Sequence, residues 1–121
     1  NYAVKLEYDN KIIGYAGYHL LRKKPAFLRL AGNYTTIIHL ISIAVSPSYQ
    51  NSGFGSFLLN SILHHAIATG ARYCYLEVRP SNHKAIIFYE KFGFSIIGVI
   101  ENYYPEDNED ALVMGKELKL F

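Results

Sequence analysis

The stretch Thr36-Ile37-Ile38-His39-Leu40-Ile41-Ser42-Ile43-Ala44-Val45 limits the possible folds more than any other part of the chain. It is nearly continuously apolar and rich in β-branched residues, the pattern of a strand buried on both faces. Such a strand needs cover on two sides of its sheet, and the following residues supply some of it. Ser46-Pro47 ends the strand, and from Ser56 the residues Leu58, Leu59, Ile62, Leu63, Ala66 and Ile67 recur at helical spacing, with Gly70 as the stop. A second strand then reads from Tyr73 to Arg79, with Cys74, Leu76 and Val78 on one face and Tyr75, Glu77 and Arg79 on the other; Pro80 ends it. Strand, helix and strand in this order make a βαβ unit, so the two strands are expected to be parallel, most simply as neighbours.

The flanks add antiparallel pieces. Residues 2 to 8 and 12 to 22 read as strands joined by Asp9-Asn10, Lys23-Lys24-Pro25 breaks the second, and Gly32-Asn33 points to a loop within 26 to 34. Past Pro80, Ser81 or Asn82 can cap a helix carrying Ala85, Ile86, Tyr89 and Phe92, which Gly93 closes. Phe94 to Ile100 and Ala111 to Leu118 read as two further strands around the acidic run Glu106-Asp107-Asn108-Glu109-Asp110. The expectation is an α/β fold with a mixed, mostly antiparallel sheet, a central parallel pair and flanking helices.

Composition removes several function classes. The 121 residues suit one domain spanning 1–121, and a net charge of +2 is too small to argue for nucleic acid. Cys74 is the only cysteine, which excludes a disulfide framework or thiolate cluster, and its strand position reads as a buried small hydrophobe. His64, His65 and His83 lack metal-ligand spacing and read as surface or helix-end residues, so no metal is expected. There is no signal peptide and no apolar run of about 18 residues, so no membrane is expected and the cytoplasm is the default; the sequon Asn33-Tyr34-Thr35 then reads as chance.

The chemistry concentrates in Gln50-Asn51-Ser52-Gly53-Phe54-Gly55, an uncharged turn between the buried strand and the first helix. A helix start offers unpaired N–H groups and a partial positive charge, and glycines let the main chain approach a ligand closely. A Walker loop fails because Ser56-Phe57 follows Gly55, and a dinucleotide fingerprint is weak because position 58 is Leu58. The Gln/Arg-x-x-Gly-x-Gly loop that grips the pyrophosphate of coenzyme A matches Gln50, Gly53 and Gly55 fully. An ordinary strand-to-helix turn is equally compatible with the local string.

The loop does not stand alone. His39 to Val45, the 50–55 loop, Tyr75-Leu76-Glu77-Val78-Arg79, Ser81-Asn82, Ala85-Ile86, Phe88-Tyr89-Glu90-Lys91-Phe92-Gly93-Phe94, Asn102-Tyr103-Tyr104-Pro105 and Glu109-Asp110-Ala111 follow in order. As a set they resemble the GNAT (GCN5-related) N-acetyltransferases, over about residues 36 to 118. The series is most similar to the branch of ribosomal-protein alanine and archaeal N-terminal acetyltransferases.

The resemblance implies acetyl-CoA as cosubstrate and a protein or peptide N-terminus as acceptor. It implies that the main chain of Ile43, Ala44 and Val45 pairs with the pantetheine arm, and that Gln50, Asn51, Ser52, Gly53, Phe54, Gly55 and Ser56 hold the pyrophosphate. Asn82 would contact the same ligand. Thioester aminolysis requires a neutral amine, donors for the oxyanion and a proton for the leaving thiolate. By resemblance Glu77 is the base, through water; Tyr89 is the acid, with a CoA contact; His39 matches a histidine of archaeal relatives; and Tyr103 and Tyr104 line the peptide groove. A histidine among aliphatic residues is also commonly structural. GNAT chains usually begin with a strand and two helices, whereas this sequence starts at what reads as the second strand. A small amine or lysine side chain as acceptor, or a non-catalytic CoA-binding module, are the alternatives.

Overall fold

Asp9 and Asn10 hold positive φ, 53° and 60°, the geometry of a two-residue turn whose twist matches a right-twisted hairpin. They join strand β1, Tyr2–Tyr8, to β2, Lys11–Leu21, in the computed structural model, which describes residues 1–30, 32 and 34–119. The sequon's Asn33 lies outside the described residues. The remaining elements are β3 (Ile37–Val45), α1 (Phe54–Ala68), β4 (Tyr73–Val78), α2 (His83–Lys91), β5 (Ser95–Tyr104) and β6 (Glu109–Glu117). The six strands form one sheet in the order β1-β2-β3-β4-β6-β5, with β3 and β4 parallel and the other pairs antiparallel. The βαβ expectation therefore holds, and the last strand slots between β4 and β5.

Why β3 is apolar on both sides is now visible. On one face, Leu58, Leu59, Ile62, Leu63 and Ala66 of α1 pack with Ile38, Leu40, Cys74 and Leu76. On the other, Leu28, Ile37, Tyr73, Tyr75 and Val113 form a second cluster, flanked by Leu21, Leu30 and Tyr34. The connection after β2 thus serves as the second cover. Lys24 steadies it, its ammonium donating to the Leu28 carbonyl at 2.6 Å.

Both helices end as their glycines suggest. Gly70 (φ +99°) and Gly93 (φ +92°) take the left-handed conformation, and the amides of Ala71 and Phe94 return to the Ala66 and Tyr89 carbonyls. The end of β5 departs from the sequence reading. It runs to Tyr104 rather than Ile100, through an irregularity in which Ile100 pairs with Ala111 and Tyr104 with Glu109. Asn102 takes positive φ there and its N–H donates to Asp110 Oδ1 at 2.9 Å. Extra residues break the two-residue alternation, which is why periodicity stops at Ile100.

Burial also sets an alkaline limit. Cys74 is fully buried and its thiol is pushed well up by that burial; the Tyr75 and Tyr89 hydroxyls are pushed up to about 12, again first by burial. These groups keep protons in the folded state that the unfolded chain releases from about pH 8.5 (Cys) and 10 (Tyr). Stability is therefore full below that range and falls as pH rises through it. Thermal melts between pH 8 and 11 should show a falling Tm, and Cys74→Ala should flatten the early part of the fall. A Tm constant to pH 11 would contradict this.

Candidate active site

The β3–β4 pairing is short. Ile37, Ile38 and His39 pair with Tyr73, Cys74 and Tyr75, and no pairing between the strands continues beyond them among the described residues. β3 runs on to Val45, still paired on its other side with β2. The sheet is therefore parted at the C-terminal ends of its parallel strands, where α/β proteins place ligands.

A cleft of about 460 Å³ opens at this parting. Its walls come from three places: Ile43, Ala44 and Val45 of β3; Gln50, Asn51, Gly53, Gly55 and Ser56 of the loop and α1; and Asn82, Lys84, Ala85, Phe88 and Tyr89 of α2. Two helix N-termini thus face it. Asn51 (φ 63°) and Gly53 (φ 86°) are both left-handed, and the first α1 amide bonded back into the helix is Phe57, to the Gly53 carbonyl at 3.0 Å. The three amides before it have no helical partner. No acidic residue lies in that turn, and a Cβ built on Gly53 would meet nothing within 4 Å. The Gln50 side chain folds back, donating to the Val45 carbonyl at 2.9 Å, so it ties the loop to the strand end. Asn82 caps α2 by accepting from the Ala85 amide at 3.2 Å.

Two loop residues from the sequence reading are not on the cleft wall. Phe54 turns its ring away to Tyr8 and Tyr49, at 5.7 and 5.9 Å, and Ser52 is exposed, its hydroxyl directed to the Gln50 carbonyl. Lys84 and Phe88 were not anticipated. Lys84 is the one charged side chain on the wall among the described residues. Its signal was only its place as the second residue of α2, which alone has little predictive force.

A second cluster lies at the closed end of the parting. His39, the last β3 residue paired with β4, donates from Nε2 to Glu77 Oε1 at 2.6 Å. Its ring stacks on Tyr75 with centroids 4.3 Å apart and planes within 5°. Both side chains are largely withdrawn from water, 20% exposed for His39 and 10% for Glu77. Tyr103 belongs to the same neighbourhood: its hydroxyl is pushed above the ordinary tyrosine range by burial and then by the Glu77 carboxylate. Tyr104 packs edge-on against Tyr103 at 5.0 Å. The Tyr89 ring lies between Phe88 and Phe94, 9% exposed, and its hydroxyl stays protonated at any ordinary pH.

The histidines outside this cluster divide. His65 is more than a helix-end residue, since its Nδ1 meets the hydroxyl of buried Tyr18 at 2.6 Å. Among the described residues no group of three His, Cys, Asp or Glu could hold a metal ion, and no helix is long and apolar enough to cross a membrane.

A parted central sheet with two helix N-termini and an imidazole–carboxylate pair at the parting defines an α/β protein suited to an extended ligand with an anionic portion. Residues 1–94 match the model of the acetyltransferase (GNAT) family. The chain belongs to this family. It is 39% identical over 83 residues to the [ribosomal protein bS18]-alanine N-acetyltransferase of Escherichia coli K12, covering 67% of this chain and 56% of that protein. It is 33% identical over 117 residues to an N-alpha-acetyltransferase of Saccharolobus solfataricus, covering 91% and 65%. The chain thus spans between about half and two thirds of these relatives. Among solved structures it resembles Arabidopsis thaliana Naa50 in complex with the bisubstrate analogue CoA-Ac-MVNAL, with TM-score 0.78 and 29% identity over 94% of this chain and 71% of that one.

Proposed function

We propose that this chain carries the acetyl-CoA and acceptor sites of an acetyltransferase acting on protein or peptide N-terminal α-amines. The observation that carries the reading is the His39–Glu77 pair at the closed end of a parted sheet whose open end is lined by unpaired helix-start amides. Membership of the GNAT family and the relatives' N-terminal acetyltransferase names support it.

The residues present fit acetyl-CoA. Main-chain amides at Gly55 and Ser56, the open space at Gly53 and the Lys84 ammonium suit a pyrophosphate without a crowd of cations. The free edge of Ile43, Ala44 and Val45 suits an extended amide-bearing arm, as an extra strand would. When bound, acetyl-CoA supplies an acetyl group as a thioester.

The chain's own groups then divide the proton work. An α-ammonium has a pKa near ~8, so part of the acceptor arrives charged at neutral pH and must be deprotonated. Glu77 takes that proton, directly or through one water. His39 holds Oε1 of the carboxylate, and Oε2 makes no hydrogen bond among the described residues. Tyr89, still protonated, is the donor for the departing sulfur. Tyr103 and Tyr104 border the carboxylate and offer hydroxyls to the acceptor's backbone. Steady-state acetylation of a peptide panel with varied first residues, beside free lysine and a polyamine, tests the reading. Peptide N-termini should be the better acceptors. Far faster turnover of lysine or polyamine would leave an acetyltransferase with another acceptor, and CoA binding without any turnover would leave a binding module.

A further inference from the structure

The acidic run Glu106–Asp110 is not a free negative patch, because Arg79 gathers most of it. Nη1 of Arg79 donates to Asp107 Oδ2 at 2.6 Å and to Glu109 Oε1 at 3.3 Å, and Nη2 donates to Glu106 Oε1 at 2.9 Å. The guanidinium also lies 3.9 Å from the centre of the Tyr104 ring. Glu109 continues the network, accepting from the Ser81 amide at 3.0 Å and the Ser81 hydroxyl at 3.1 Å. Asp110 is committed separately, to the Asn102 amide.

The placement of these contacts matters more than their number. Arg79 lies two residues after Glu77, and Ser81 immediately precedes the α2 cap Asn82. On the opposite side, Tyr103 and Tyr104 end β5 and the short Pro105–Asp107 turn follows directly. Among the described residues, the β4–β6 and β5–β6 pairings and this network tie that tip to the β4–α2 corner. Three carboxylates within four residues repel one another without a cation, and one planar fork satisfies all of them.

We propose that Arg79 is the positioning residue of the acceptor side: it holds the Pro105–Asp107 turn, and with it Tyr103 and Tyr104, against the Glu77 corner. This deepens the proposed function and rests on it for the role of the tyrosines. Arg79 touches neither substrate nor reacting atoms in this scheme. Its loss loosens the wall that orients the amine, and leaves the cleft at Gly53 and Lys84 untouched.

The test separates loop order from catalysis. In Arg79→Gln, amide hydrogen exchange across residues 101–110 should accelerate while the α1 amides stay protected. The KM for a peptide acceptor should rise on the order of tenfold, the scale of a lost charge-assisted hydrogen bond, with the Kd for CoA little changed. Arg79→Lys keeps the charge without the fork and should recover part of the loss. In a Glu106→Gln/Asp107→Asn/Glu109→Gln background, adding Arg79→Gln should change KM little further, because the partners are already gone. An undiminished effect in that background would mean that Arg79 acts on the acceptor itself, and unchanged exchange at 101–110 would show that it holds nothing; either overturns the proposal. If Arg79→Gln fails to fold, the exchange comparison of wild type with Glu106→Gln/Asp107→Asn reads the same tether. Should no amine be acetylated at all, the functional reading fails, while the exchange result still decides the tether.

Discussion

Glu77→Gln should lower the kcat for peptide acetylation by about 10²–10⁴-fold at pH 7, the usual contribution of a general acid–base group. The substitution is nearly isosteric, and His39 Nε2 keeps an oxygen to donate to, so the pair's geometry has little reason to change. What is lost is the proton acceptor. The deficit should therefore shrink as pH passes ~8, where the α-amine is already the free base and needs no help. A stopped pH–rate comparison on one peptide reads this directly. A loss of the same size at pH 6.5 and pH 9.5 would assign Glu77 to positioning. Tyr89→Phe makes the complementary test at the sulfur, because it removes the hydroxyl and keeps the ring between Phe88 and Phe94. Slowed turnover with CoA affinity and stability kept fits the donor role, whereas a parallel loss of affinity and stability would make the hydroxyl a structural group.

The second large effect is expected at Gly53. Gly53→Glu should reduce CoA affinity by more than about 100-fold, because it brings a side chain and a negative charge to the N-terminal end of α1 where phosphate oxygens would bind. The fold itself should survive. No atom lies within 4 Å of the new Cβ, and the left-handed φ of 86° costs roughly 1–2 kcal/mol for a residue with a side chain. Gly53→Asn is the informative control, since asparagine tolerates that conformation and adds no charge. Lys84→Ala should weaken CoA binding less and in a salt-dependent way, as expected for a single partly screened cation. Titration calorimetry at two salt concentrations covers all three variants, and unchanged affinity in Gly53→Glu would exclude the loop as the pyrophosphate site.

How far the sequence carried depended on how local the determinant was. The β-branched run 36–45, the spacing of Leu58 to Ile67 and the two helix-ending glycines act over a few residues, and their elements came out where expected. Gln50, Gly53, Gly55 and Asn82 were legible because turn chemistry and capping are written in adjacent residues. The His39–Glu77 bond was not: 38 positions separate the two, and only the parallel pairing of their strands brings them together. The pairing of the acidic run was equally hidden: its carboxylates are spent on Arg79, 27 to 30 positions away, and on main-chain amides. The β5 irregularity and the outward turn of the Phe54 ring escaped for a common reason: a positive φ or a turned ring rotates side chains out of any fixed period.

The brevity of the β3–β4 pairing has a mechanical meaning. β1, β2 and β3 form one leaf and β4, β6 and β5 another, each paired along its length and joined to the other by three residue pairs at one margin. Such a sheet is a book held at the lower part of its spine. Any extended molecule that hydrogen-bonds to both inner margins acts as stitching, and its binding energy adds directly to the resistance of the folded chain against unfolding. Unstitched, the inner margin of β3, apart from the Val45 carbonyl that Gln50 holds, offers backbone donors and acceptors to whatever strand comes by, including one from another molecule. Ligand occupancy would then govern how long this protein stays monodisperse as well as whether it can react.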